Sequence, residues 1–209
     1  MIASKKLEHF DPFSVHLADV VVRGNVQIST QARALCSIAG FEWAGIGAAH
    51  VRATVFYENL RALAAWSLSK DGTMLLPWGS DETVLPLVSS EDVAHVAAAV
   101  LTSTELQPGS SHPVIGEVLR LRDIVATFGR VLERDVRYHE IPDQLWHDAA
   151  LARGFNQHAV EHLSHLWRTL RAGASRFEVP DTIEKLVGRK PKTFEEFVRD
   201  ERSAFSAAA

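Results

Sequence analysis

His50-Val-Arg-Ala-Thr-Val-Phe-Tyr-Glu-Asn-Leu60 is the stretch from which the rest of the chain is read. Val51, Ala53 and Val55 alternate with Arg52 and Thr54, a period of two that suits a strand. Phe56-Tyr57-Glu58-Asn59-Leu60 then runs into Arg61-Ala-Leu-Ala-Ala-Trp-Ser-Leu68, whose apolar spacing is helical. A strand that passes straight into a helix at its carboxyl end is where open α/β sheets hold ligands.

Working outward, Ser69-Lys-Asp-Gly72 reads as a turn. Met74-Leu75-Leu76 and Thr83-Val84-Leu85 read as a small β-ladder joined by the loop Pro77–Asp81. Ser89 and Asp92 form a capping pattern ahead of a helix with Val93, Val96, Ala97 and Val100 on one face. His112-Pro-Val-Ile-Gly116 is a short strand, and Leu121, Ile124, Val125, Phe128 and Leu132 mark an apolar helical stripe. Val136-Arg-Tyr138 is another strand candidate. Helices are expected over Asp143–Arg153 and Asn156–Ala172, either side of Gly154, and again from Thr182 with a turn at Gly188. Upstream, residues 1–27 read as an irregular arm in which Val20-Val21-Val22 could be a short strand. Ser29–Ala39 reads as an amphipathic helix ended by Gly40, and Gly45-Ile-Gly47 as the turn into the strand at Val51.

Four segments, in order, resemble the NmrA-like family, an atypical branch of the short-chain dehydrogenase superfamily. The stretch around Val51 is similar to Arg-Pro-x-x-Phe-(Met/Tyr)-Glu-Asn, with Ala53 in place of the common proline. Gly72-Thr-Met-Leu-Leu-Pro-Trp-Gly-Ser80 resembles the family's Gly-x-hydrophobic-x-x-Pro-x-Gly hairpin. Leu87-Val-Ser-Ser-Glu-Asp-Val-Ala94 resembles its Val-x-x-x-Asp-Val/Ile-Ala helix start. Val187-Gly-Arg-Lys-Pro-Lys-Thr-Phe-Glu-Glu-Phe-Val198 resembles its Gly-Arg-x-Pro-x-Thr/Ser-Phe-Glu-Glu-Phe tail. The likeness spans roughly residues 28–205 and is specific through the order of four motifs rather than through any one.

Pattern and resemblance together predict an α/β fold: a partial, N-terminally truncated Rossmann-like parallel sheet with a smaller, mainly helical C-terminal lobe. The sheet domain would take residues 1–116, with strands near Val51 and Val114, and the substrate-type lobe residues 117–209. The resemblance implies NADP(H) or NAD(H) as cofactor, with Thr54, Phe56, Tyr57 and Asn59 on the nicotinamide or substrate side of the cleft. A structural alternative stays open, in which Val55 and Phe56 are core and Glu58-Asn59 cap the following helix. Arg52 would pair with a carboxylate or meet a ligand phosphate.

Dinucleotide binding needs a glycine-rich turn from a strand into a helix, where backbone N–H groups approach the pyrophosphate. The one candidate, Gly45-Ile-Gly47-Ala-Ala-His50, precedes a strand and has histidine at its third position, so it does not qualify. The chain therefore resembles the family's C-terminal portion behind an altered start. The Tyr-x-x-x-Lys pair of tyrosine-dependent dehydrogenases is also missing: Tyr57 and Tyr138 are the chain's two tyrosines, and neither has a lysine four residues on.

Three function classes follow. The first is an NmrA-like oxidoreductase of small-molecule acceptors, or a nucleotide redox sensor. The second is a non-catalytic family member acting as an interaction module or homo-oligomer, since an unfinished sheet exposes an edge. The remote third is a zinc-dependent hydrolase, because His158-Ala-Val-Glu161-His162 has the ligand order of inverted zinc peptidases. No third ligand is singled out for that site, and Val160, Leu163, Trp167 and Leu170 take the buried stripe of the same helix. Trp78, Trp146 and Trp167 would form an aromatic pocket or packing between lobes.

Composition narrows the classes. With 46% hydrophobic and 23% charged residues the chain can bury a core. A net charge of −4 offers no footprint for nucleic acid. No apolar run approaches the roughly 18 residues of a membrane span. A single cysteine, Cys36, fits a reducing, cytoplasmic setting.

Overall fold

The computed structural model describes residues 48–104, 109–173 and 177–206. The arm, the short strand at 20–22, the helix Ser29–Ala39 with Cys36, and the Gly45–Gly47 turn lie outside the described residues. Within them the chain forms β1 (His50–Ala53), β2 (Val55–Phe56), α1 (Tyr57–Asp71), β3 (Thr73–Leu76), β4 (Val84–Val88) and α2 (Ser90–Thr102). There follow β5 (Ser111–Val114), β6 (Glu117–Arg120), α3 (Leu121–Leu132), β7 (Arg137–Glu140), α4 (Asp143–Ala152) and α5 (Gln157–Arg171). The tail carries α6 (Thr182–Val187), α7 (Phe194–Asp200) and α8 (Arg202–Phe205).

The expected strand at Val51 forms, but in two pieces with different neighbours. β1 pairs in parallel with β5, from His50↔Ser111 to Ala53↔Val114. β2 pairs in parallel with β4, Val55↔Leu87 and Phe56↔Val88. Thr54 sits at the hand-over between them. Beyond β5, the Gly116 N–H donates to the Leu87 carbonyl at 2.8 Å, stitching the exit of β5 onto β4. A side chain at Gly116 would start 3.3 Å from that carbonyl oxygen and 3.4 Å from the Tyr57 hydroxyl, so the close approach requires glycine.

The expected ladder between residues 74–76 and 83–85 is corrected. β3 pairs in parallel with β7, Thr73↔Arg137 through Leu76↔Glu140, and β4 lies between β2 and an antiparallel β6. The glycine-containing loop at 77–81 imitates a hairpin. Leu85, Pro86, Leu87 and Val88 are all buried, however, which marks a strand covered on both faces rather than half of a surface hairpin. β6 itself has no counterpart in the sequence pattern.

Two apolar clusters fill the interior. The larger joins Leu60, Ala64 and Leu68 of α1, Ile124 and Phe128 of α3, and Phe194, Phe197 and Phe205 of the tail. Phe128 lies edge-on to Phe194 and Phe205, with centroids 5.3 and 4.9 Å away. Each such ring contributes about 1.5–3 kcal/mol of burial. The smaller cluster packs Val93, Val96 and Val100 of α2 against Ala53, Val114 and Ile183. Polar clasps finish the packing. Arg134 donates to the carbonyls of Leu68 (2.6 Å) and Phe205 (2.7 Å), and Arg171 grips both carboxylate oxygens of Asp143 at 2.6 Å. Among the described residues no helix is long and apolar enough to cross a membrane.

Candidate functional site

The carboxyl ends of β2 and β4 and the exit of β5 meet around Thr54. Thr54 is only 9% exposed, and its Oγ1 has no hydrogen-bond partner among the described residues. Leaving a buried hydroxyl unpaired costs about 1–3 kcal/mol. A hydroxyl held at that cost where strands end is a group suited to meet a ligand. His50, at the opposite end of β1, has an unpartnered Nε2 in the same sense.

The other candidates divide between cleft and core. Phe56 is half-buried against the smaller apolar cluster and occupies the N-cap position of α1 without a side-chain cap. Asn59 is half-buried in the first turn of α1. Tyr57 is fully buried, its ring 5.4 Å from both Phe194 and Phe197. Its hydroxyl donates towards Glu117 Oε2 (3.0 Å) and the Lys192 carbonyl (3.1 Å). Burial first, and then the Glu117 carboxylate, push the Tyr57 phenol far above its ordinary value. Burial likewise pushes Tyr138 up to about 12, and its hydroxyl donates to the Leu76 carbonyl while accepting from the Trp78 N–H. Neither tyrosine can lose its proton near neutrality, so neither is an acid–base catalyst.

Glu58 does not cap its own helix. Its carboxylate accepts from the Ser90 hydroxyl at 2.6 Å and from the Ser90 N–H at 3.2 Å, at the start of α2. Ser89 caps that helix through the Asp92 N–H at 3.0 Å. Asp92, fully buried, turns away from its own helix end: it accepts from the Lys192 N–H at 2.9 Å and pairs with Arg189 at 2.7 Å. Arg52 bridges strands, its Nη1 3.4 Å from Ser111 Oγ.

On α5, His158, Glu161 and His165 are exposed, whereas His162 is half-buried with its Nε2 turned inward. Burial, and then His158 and His165, hold its pKa below the ordinary 6.5. Among the described residues no group of three or more histidine, cysteine or acidic side chains converges on a metal-sized space. Trp78 and Trp167 stack in the core at 5.1 Å. Trp146 instead lines a hollow of about 190 Å³ with Leu63, Leu75 and Ile141, beside the middle of α1.

Sequence reasoning did not single out Glu117. Its signal was present as one carboxylate inside the apolar run Val114-Ile-Gly-Glu-Val-Leu119.

The comparisons with known proteins agree with this geometry. The model of the NmrA-like family matches residues 41–198. An NAD(P)H azoreductase from Xenophilus azovorans is 27% identical over 168 residues, covering 78% of this chain and 56% of that protein. The (4-alkanoyl-5-oxo-2,5-dihydrofuran-3-yl)methyl phosphate reductase of Streptomyces griseus is 28% identical over 163 residues, with the same coverage of 78% and 56%. Among solved structures, Citrobacter sp. triphenylmethane reductase complexed with NADP(H) superposes with a TM-score of 0.66 at 17% identity. The match covers 83% of this chain and 60% of that one. An NADPH-dependent quinone oxidoreductase from Escherichia coli gives 0.67 at 18% identity, covering 83% and 62%. The chain thus spans a little over half the length of the curated relatives it matches. With the family model matched across most of its residues, and with the α/β, Rossmann-type architecture of these reductases, the chain belongs to the NmrA-like family.

Proposed function

We propose that the chain forms the acceptor-side part of an NAD(P)-dependent reductase of small molecules. The observation that carries this reading is the buried, unpartnered Thr54 hydroxyl where the strand ends meet. The names of the curated relatives, reductases of unlike substrates, support the reaction class. Thr54 would offer a donor and an acceptor, Phe56 an apolar face for a flat ring, and Asn59 an amide from the first turn of α1. Tyr57 would stand behind them as a support.

The described residues fit the nicotinamide or acceptor end of a dinucleotide. Among them no glycine turn joins a strand to a helix start, so the phosphate end is assigned to none of them. A bound nicotinamide supplies a hydride; the chain's own part is to orient the acceptor and keep water out. A second reading, redox sensing without turnover, draws support from the permanently protonated tyrosines. An interaction module or homo-oligomer without cofactor is the reading left if nucleotide does not bind.

The test is a titration of purified protein with NADPH and NADH, followed through quenching of its five tryptophans. Saturable micromolar binding that Thr54→Val weakens supports the reading. A folded, monodisperse sample that binds neither nucleotide sinks it. Bound NADPH that no azo or quinone acceptor oxidises points to the sensor.

A further inference from the structure

We infer that Glu117 is a positioning residue for the Thr54–Asn59 turn, acting through Tyr57 and residues 192–194 of the tail rather than by touching a ligand. Its functional meaning rests on the proposed cleft; its geometry stands independently. One carboxylate oxygen, Glu117 Oε2, faces the Tyr57 hydroxyl at 3.0 Å and also accepts the Phe194 N–H. Lys192 is held at both of its backbone groups: its N–H donates to Asp92 at 2.9 Å and its carbonyl accepts from Tyr57 at 3.1 Å.

These contacts gather every strand exit that borders the cleft. Tyr57 opens α1 directly after β2, and Asp92 lies in the first turn of α2 after β4. Glu117 follows Gly116, whose N–H is bonded to Leu87. All three reach the same short stretch of tail, across 60 to 135 residues of sequence. Closing such long loops costs conformational entropy, so a shared anchor only holds if its hydrogen bonds are kept together. The tail therefore acts as a keystone behind the cleft, and Glu117 is the acceptor that joins its two halves. Glutamine keeps a carbonyl oxygen that can accept both bonds; alanine keeps neither.

The experiment is amide hydrogen exchange on the full chain, comparing Glu117→Ala, Glu117→Gln and wild type. Glu117→Ala is expected to speed exchange about tenfold in β2, the first two turns of α1 and residues 192–194. Amides of β3 and β7 should not change, and Glu117→Gln should stay within about twofold of wild type. Unchanged exchange at the turn, or acceleration spread evenly over every strand, overturns the inference. If Glu117→Ala does not fold, Tyr57→Phe serves, since it removes only the hydroxyl and leaves the ring between Phe194 and Phe197. Unchanged exchange at 192–194 in that variant overturns the inference equally. NADPH titration of the same proteins separates the two proposals. A tenfold loss of affinity in Glu117→Ala, restored in Glu117→Gln, supports both. Local loosening in a protein whose wild type binds no nucleotide supports the positioning role and overturns only the cofactor reading.

Discussion

Thr54 carries opposite demands. Its hydroxyl is buried without a partner, which weakens the fold, and it stands where a ligand would reward it. Thr54→Val keeps the β-branched shape and removes the hydroxyl. We expect a rise in stability of about 1 kcal/mol, read from thermal or urea denaturation, with weaker nucleotide or acceptor binding. A variant that is less stable and binds as well as wild type would show that the hydroxyl is satisfied in the fold. His162 gives a second prediction. Its folded pKa lies below the ordinary value, so the unfolded chain takes up the proton first as pH falls. Its contribution is intact above about pH 6.5 and is lost as pH drops through the lower, folded value. The melting temperature should fall between pH 7 and 5, and His162→Gln should flatten part of that slope. At this scale the sequence shows which residues stand near the strand end but not which way they face. Thr54 and Tyr57 are three apart across a strand–helix junction, and the change of period there puts one beside the cleft and the other among the phenylalanines.

Elements were legible wherever one periodicity ran long enough. The stripe from Leu121 to Leu132, the helices flanking Gly154 and the Ser89 cap all appear as the spacing implies. Pairing was less legible, because a strand's own residues do not name its neighbour. Residues 74–76 and 83–85 lie close in sequence, yet β3 joins β7 and β4 joins β2 and β6. Partner choice is decided by burial on both faces, which becomes visible only once the helices are in place. The caps allow a quantitative check. Ser89→Ala removes the acceptor for the Asp92 N–H and should destabilise by about 1 kcal/mol in denaturant titration. Glu58 already serves the adjacent Ser90 N–H, so the helix should persist in circular dichroism.

For the whole molecule, the tail is structural as much as terminal. Phe194, Phe197 and Phe205 enter the main core, and Arg134 holds the Phe205 carbonyl. Replacing a buried Phe by Ala costs about 3–5 kcal/mol, against a typical total of 5–15 kcal/mol for a domain. Phe205→Ala should therefore lower the melting temperature by many degrees, and removal of residues 188–209 should abolish cooperative melting in circular dichroism. The tail motif was readable in the sequence as a family resemblance. Its reach to Asp92, Glu117 and Tyr57 was not, because those contacts join residues 60 to 135 positions apart and leave no local pattern.

The parallel pairing of β3 with β7 bears on how the protein is made. Thr73 must wait for Arg137, its partner in register, before either strand has a neighbour on that side. At about 5–20 residues per second of synthesis, the interval is roughly 3 to 13 s. Through that time a nascent chain carries the apolar Met74 and Leu76 on an unpaired edge. The ribosome-bound chain is thus most vulnerable to aggregation in the window before Glu140 emerges. A slowing of translation between Leu76 and Arg137 should increase its dependence on chaperones, whereas a slowing after β7 should not.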